Sequence, residues 1–249
     1  MMAGAVDRKA GGAARPLLQV RRLTASYGLA DVLFGLDLEL AEGEVVALVG
    51  RNGAGKTTTL KAIMGLITRN ASELTFAGHD LSRLAPYQIA RLGLGYVPEE
   101  RRIFTDLTVL ENLEVGRRDA PPGREPWTLD RLFRLFPNLA DMRGRSAAAM
   151  SGGEQQMLSI ARTLMGNPSA VLLDEPSEGL APIIVEEMAK AVIAMKREGI
   201  AVLLSEQNLH FAGAVSDRAC VIERGLMRFT GTIGELEANP QVREAHLAV

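Results

Sequence analysis

The stretch "GRNGAGKTT", from Gly50 to Thr58, follows directly on the apolar run "EVVALV". Three glycines and one lysine stand where a strand ends and a helix begins. Gly50, Arg51, Asn52, Gly53, Ala54, Gly55, Lys56 and Thr57 fill the pattern G-x-x-x-x-G-K-[ST] in full. Glycine permits backbone angles that turn consecutive N–H groups inward. Those donors and the positive end of the following helix form a concavity suited to phosphate oxygens. Lys56 would reach the terminal phosphates as a point charge, Thr57 would place its hydroxyl on Mg²⁺, and Asn52, Ala54 and Thr58 complete the candidate set. The run "EVVALVG" (44–50) has no polar alternation after Glu44, as a strand buried on both faces requires. The spacing predicts a helix from about Lys56 to Ile67, stopped near "GL".

A phosphate loop needs a partner that handles the metal and the water. In "AVLLDEP" an apolar strand ends in Asp174 and Glu175. Two adjacent acids after such a run are awkward in a buried strand, because burial penalises charge. Asp174 would bind Mg²⁺ through water, and Glu175 would orient and polarise the attacking water.

Outward from these two points, strands and helices alternate. Strand-like runs are "LLQVRRL" (17–23), "VLFGLDLEL" (32–40), "ELTFAG", "LGYVPE" and "IAVLLSE", while "RACVIERG" and "LMRFTG" form a candidate hairpin. The pattern from Pro86 to Gly93 is helical. Met157, Ile160, Ala161, Leu164 and Met165 recur at helical spacing, as do Ile184, Met188, Ala191, Val192 and Met195. Such alternation implies an α/β fold with a mostly parallel sheet. From about Glu99 to Ala149 charges rise and prolines cluster ("DAPPGREPW"), which reads as a helical insertion between two halves of the core.

Composition narrows the function classes. The chain has 249 residues, 47% hydrophobic and 23% charged, enough for one sizeable domain. A formal net charge of -2 argues against bulk nucleic-acid binding. The pairs Arg101–Arg102 and Arg117–Arg118 read as solvated faces. The single cysteine, Cys220, lies in an apolar stretch and reads as a buried thiol. No apolar run is long enough to span a membrane. The opening "MMAGAVDRKAGGAAR" lacks an apolar segment and reads as a disordered leader over 1–16 rather than a signal peptide.

A third motif is narrower than the first two. "MSGGEQQ" (150–156) stands just before "LSIARTLMGNP" and about 20 residues ahead of the acidic strand end. This order resembles the nucleotide-binding subunits of ATP-binding cassette (ABC) transporters, over nearly the whole chain after residue 16. The resemblance implies a P-loop NTPase over residues 17–249, with a RecA-like core, an antiparallel β subdomain and a helical subdomain over about 99–155. It implies ATP and Mg²⁺ as cofactors. Ser151, Gly152, Gly153 and Glu154 would open a helix whose N-terminus meets the γ-phosphate of ATP held by a second subunit. Tyr27, in "ASYG", stands where the family stacks an aromatic on adenine.

Three positions depart from the common family pattern. Glu99 stands where a glutamine usually senses Mg²⁺, Gln207 where a histidine usually approaches the γ-phosphate, and Ala181 where an aspartate is usual. Gln207 can hydrogen-bond but cannot carry a proton near neutral pH. Together "VPEERRIFTDLTVLENL", "SGGEQQML", "DEPSEGLAP" and "SEQN" look like one branch, the ATPases of branched-chain amino acid importers, with relatives in urea and short-chain amide import. That resemblance implies integral-membrane permease subunits, a second ATPase subunit, equal or different, an indirect link to a solute-binding protein, and a place on the cytoplasmic face of the inner membrane. The rival readings are a urea or amide importer, a soluble cassette ATPase of repair or translation, a non-hydrolysing regulatory binder, and an exporter.

Overall fold

The structure, a computed structural model, describes residues 16–246. The expected leader lies outside the described residues except for Pro16. The chain begins β1 (Leu18–Tyr27), β2 (Ala30–Leu40), β3 (Val45–Val49) and α1 (Lys56–Ile63). It continues with β4 (Thr68–Asn70), β5 (Glu73–Phe76), β6 (His79–Asp80), α2 (Pro86–Arg91) and β7 (Leu94–Val97). Next come α3 (Val109–Gly116), α4 (Leu129–Leu135), α5 (Pro137–Asp141) and α6 (Gly152–Leu164). The last part holds β8 (Ala170–Asp174), α7 (Pro182–Arg197), β9 (Ala201–Glu206), α8 (Leu209–Val215), β10 (Arg218–Glu223), β11 (Leu226–Thr232), α9 (Ile233–Glu237) and α10 (Pro240–His246).

Two sheets organise these elements. A six-stranded sheet has the order β11-β10-β3-β9-β8-β7. It is parallel from β10 to β7, and β11 joins antiparallel through the expected hairpin. A five-stranded antiparallel sheet has the order β2-β1-β5-β6, with β4 also on β1.

The period of two in the central strands divides the core. Val45, Ala47, Val49, Val171, Leu173, Val202 and Leu204 face one cluster with α6, α7 and α8. Val46, Leu48, Leu172 and Leu203 face the other, shared with α1 and the antiparallel sheet. Both faces are covered, which is why β3, β8 and β9 read as unbroken apolar runs. Between β7 and α6, Val109, Leu113, Leu132, Phe136 and Leu139 pack on the α6 side of the first cluster. Buried Asn112 ties the segment after β7 to this unit: it accepts from Phe104 N at 2.9 Å and donates to Phe104 O at 2.9 Å.

Some boundaries differ from expectation. Helix α1 stops at Ile63 rather than Ile67, because Gly65 takes φ 70° and closes a Schellman turn: Leu66 N donates to Lys61 O and Gly65 N to Ala62 O. The Arg69 guanidinium also donates to the carbonyls of Ala62 and Ile63, at 2.5 and 2.9 Å. Strand β1 runs on to Tyr27, past the expected end at Leu23. Arg101 and Arg102 are not a simple solvated face. Both take left-handed φ (64° and 46°), and Arg101 is half-buried with its guanidinium beside Gly152. Cys220 is buried, and burial pushes its thiol pKa up.

Candidate functional site

Three neighbouring strands deliver the site. In the parallel register Val49 pairs with Glu206, and Asp174 pairs with Ser205. The carboxyl ends of β3, β9 and β8 therefore place the Gly50 loop, Glu206–Gln207 and Asp174–Glu175 side by side. Open α/β sheets bind ligands at this edge.

The loop after β3 is shaped by close approach and by backbone angle. A Cβ on Gly50 would lie 2.4 Å from the Ile222 carbonyl, so only glycine fits there. Gly55 takes φ 113° as the N-cap of α1, and no side chain caps that helix. Its first turn holds no acidic residue. The first amides of α1 thus face the loop with no side-chain acceptor, an arrangement that suits an anion. Asn52 and Gly53 are exposed, and Ala54, Gly55 and Thr58 are buried.

Lys56 is 3% exposed. Its ammonium donates to the carbonyls of Gly50 at 2.9 Å and Arg51 at 3.2 Å, and pairs with Glu175 Oε1 at 3.0 Å. The other oxygen of Glu175 accepts from Gln207 Nε2 at 2.9 Å. The Glu175 amide donates to Ser205 Oγ at 3.0 Å. Glu175 holds φ 44°, a left-handed angle costly for a residue with a side chain.

Asp174 is buried among donors. Its Oδ1 accepts from Thr57 Oγ1 at 2.8 Å and Ser205 Oγ at 2.7 Å, and its Oδ2 from the Tyr96 hydroxyl at 3.0 Å. Burial pushes the Asp174 carboxyl up, and these three hydroxyls pull it back. Glu99 is exposed beyond the end of β7. Desolvation and the neighbouring charges of Glu175 and Asp174 push its carboxyl up. Hydroxyl plus carboxylate at Thr57 and Asp174 is an all-oxygen set, which fits a hard cation such as Mg²⁺. Among the described residues no group of three or more His, Cys, Asp or Glu side chains forms a metal cage. The acids alone do not make the site, and a phosphate and water would have to complete it.

The structure brings together Gly50–Thr58, Asp174, Glu175 and Gln207, with Glu99 as an electrostatic neighbour. It keeps Ser151–Glu154 apart from them at the start of α6. There Ser151 and Glu154 form a reciprocal cap: Ser151 N donates to Glu154 Oε2 at 2.6 Å and Glu154 N to Ser151 Oγ at 3.4 Å. A Cβ on Gly153 would meet Ile184 at 2.8 Å, which explains that glycine as packing. Tyr27 ends β1 with 47% exposure, an aromatic ring left open to solvent.

Three residues of this cluster escape a reading of motifs. Tyr96 lies in no quoted motif, and Ser205 and Glu206 open "SEQN" without a role of their own assigned there. Glu206 is buried and accepts from the amides of Ser177, Gln207 and Asn208 at 3.0, 3.2 and 3.2 Å. Burial pushes its carboxyl up. The available signal was the end of β9: "AVLLSE" puts polar residues after an apolar run, as "AVLLD" does in β8.

Comparisons with known proteins agree with this geometry. The ABC transporter family matches residues 33–178. The high-affinity branched-chain amino acid transport ATP-binding protein BraG of Pseudomonas aeruginosa is 39% identical over 231 residues, which cover 93% of this chain and 99% of that protein. The lipopolysaccharide export system ATP-binding protein LptB of Haemophilus influenzae is 35% identical over 93% of this chain and 97% of that protein. A nucleotide-free ATP-binding cassette from an ABC transporter superposes with TM-score 0.77 at 25% identity, covering 92% of this chain and 98% of that one. With the phosphate loop, the acidic strand end and these relatives in hand, the chain belongs to the ABC transporter family, as one of its nucleotide-binding ATPase subunits.

Proposed function

We propose that the chain is the ATP-hydrolysing motor of an importer whose cargo is branched-chain, hydrophobic amino acids. The observation that carries the hydrolytic part is the convergence of Lys56, Thr57, Asp174, Glu175 and Gln207 at three adjacent strand ends. The likeness to BraG supports the cargo.

In this reading the loop amides and Lys56 bind the terminal phosphates. Thr57 and Asp174 hold Mg²⁺, which when bound offsets phosphate charge. Glu175 accepts the proton of the attacking water. Gln207 grips the second oxygen of Glu175 and so sets the carboxylate plane; it carries no proton itself. Glu99 would offer the cation a carboxylate oxygen and adds a charge there. Tyr27 stacks on adenine. Ser151–Gly153 and Glu154 meet the γ-phosphate bound to a second ATPase subunit, so that ATP joins the two chains and hydrolysis releases them. The helical subdomain over about 99–155 moves with that closure. Among the described residues no helix is long and apolar enough to cross a membrane. In this reading the chain works on integral-membrane permease subunits at the cytoplasmic membrane face. The groove of about 430 Å³ lined by Pro86, Tyr96, Phe104 and Val115 is where they would press, beside Glu99–Phe104.

The likeness to LptB favours a second reading, a motor of lipid export. Uptake of labelled leucine and labelled urea, in cells carrying the wild-type chain or Lys56→Ala, separates the readings. The proposal expects loss of leucine uptake alone. Loss of urea uptake alone would replace the cargo, and no change in either would overturn the import reading.

A further inference from the structure

Asp174 has two oxygens, and they are held from different directions. Thr57, from the loop helix, and Ser205, from β9, both donate to Oδ1, at 2.8 and 2.7 Å. Both of these donors act on one oxygen, and the second oxygen is held from elsewhere. Tyr96 donates to Oδ2 at 3.0 Å from the opposite neighbour, β7, so the broad terminal torsion of the carboxylate is pinned at both oxygens.

The register explains how Tyr96 arrives there. Tyr96 pairs with Leu172 of β8, and Asp174 lies two residues further along the same face. Diagonal neighbours of this kind stand within reach of an aromatic side chain. The ring packs against the cluster that holds Leu172, while its outer edge lines the groove beside Pro98 and Phe104. A phenylalanine would fill the same space without the donor. The hydroxyl is thus separable from the packing.

We propose that Tyr96 is a positioning residue for the metal-holding carboxylate: its hydroxyl fixes the plane in which Asp174 meets Mg²⁺. This rests on the reading above, in which Thr57 and Asp174 hold the cation. Outer partners of metal-binding carboxylates typically change metal affinity by about 10- to 100-fold when removed.

The test is Tyr96→Phe in the full chain, with Asp174→Asn alongside. Binding of fluorescent ADP in EDTA reports the phosphate loop without metal, and thermal melting reports folding. Binding of Mn²⁺ to the equimolar ADP complex, followed by the paramagnetic resonance of free Mn²⁺, reports the metal. For Tyr96→Phe we expect unchanged ADP binding in EDTA and Mn²⁺ bound about tenfold more weakly than by wild type. The Mg²⁺ concentration for half-maximal ATP hydrolysis should rise to match, with kcat at saturating Mg²⁺ nearly kept. An unchanged Mn²⁺ titration would overturn the proposal. So would a parallel loss of melting temperature and EDTA-resistant ADP binding with no metal-specific part, since that marks packing alone. If wild type and Asp174→Asn bound Mn²⁺ equally, the underlying reading of the metal site would fail, and the role of Tyr96 with it.

Discussion

Glu175 stands at φ 44° with one oxygen on Lys56 and the other near Gln207. A glutamate in that backbone region costs on the order of 1–3 kcal/mol, and its neighbours hold it there. The buried pair Lys56–Glu175 makes sense as a site in which each charge compensates the other. Gln207 is the informative partner. Because it positions Glu175 without titrating, Gln207→Ala should lower kcat by about 10- to 100-fold and leave ATP affinity nearly unchanged. Steady-state kinetics with parallel nucleotide-binding measurements check this, and a rise in KM with unchanged kcat would contradict it. The residues that touch phosphate were legible in the sequence because one loop carries them all at fixed spacing. Gln207 was legible only through resemblance. The contacts of Tyr96, Ser205 and Glu206 were not, because they arise from register between β7, β8 and β9, which no local pattern encodes.

At the scale of elements, the long buried strands and amphipathic helices were readable from period alone, since α6 and α7 each bury one face against one cluster. Short pieces such as β4, β6, α8 and α9 were not, since two to seven residues carry too little period. Two helix starts are fixed by capping boxes that the structure shows. Thr108 and Glu111 form such a box on α3, and Thr232 and Glu235 on α9. The backbone amide of Thr108, then its hydroxyl, hold the Glu111 carboxyl below its usual pKa. A carboxylate depressed in the folded state adds stability above its unfolded pKa and loses it as pH falls through the folded value. Glu111→Ala should therefore melt lower than wild type at pH 7. The gap should shrink as pH drops below the ordinary carboxylate range. Melting curves across that range check it, and a gap that stayed constant to strongly acid pH would contradict it.

For the whole molecule, the phosphate loop and the residues Ser151–Gly153 belong to different parts of one chain. The loop follows β3 at the centre of the sheet, whereas Ser151 caps α6 behind the segment that separates β7 from α6; the proposal has a second subunit supply Ser151–Gly153 to the bound ATP. In the proposed reading the cargo is chosen outside this chain, by the permease and binding-protein partners. Relatives named for branched-chain amino acid transport and for lipopolysaccharide export match this chain at 39% and 35% identity, each over 93% of its length.

In the proposed function, Glu175 turns over ATP held between two copies or two related chains. The most direct measurement is the light-scattering mass of the Glu175→Gln chain in Mg²⁺-ATP, with the bound nucleotide recovered and identified. The account predicts a dimer that retains unhydrolysed ATP, with turnover reduced at least about 100-fold from a wild type that returns to monomer with ADP. A Glu175→Gln chain that stays monomeric and consumes ATP at the wild-type rate would contradict it.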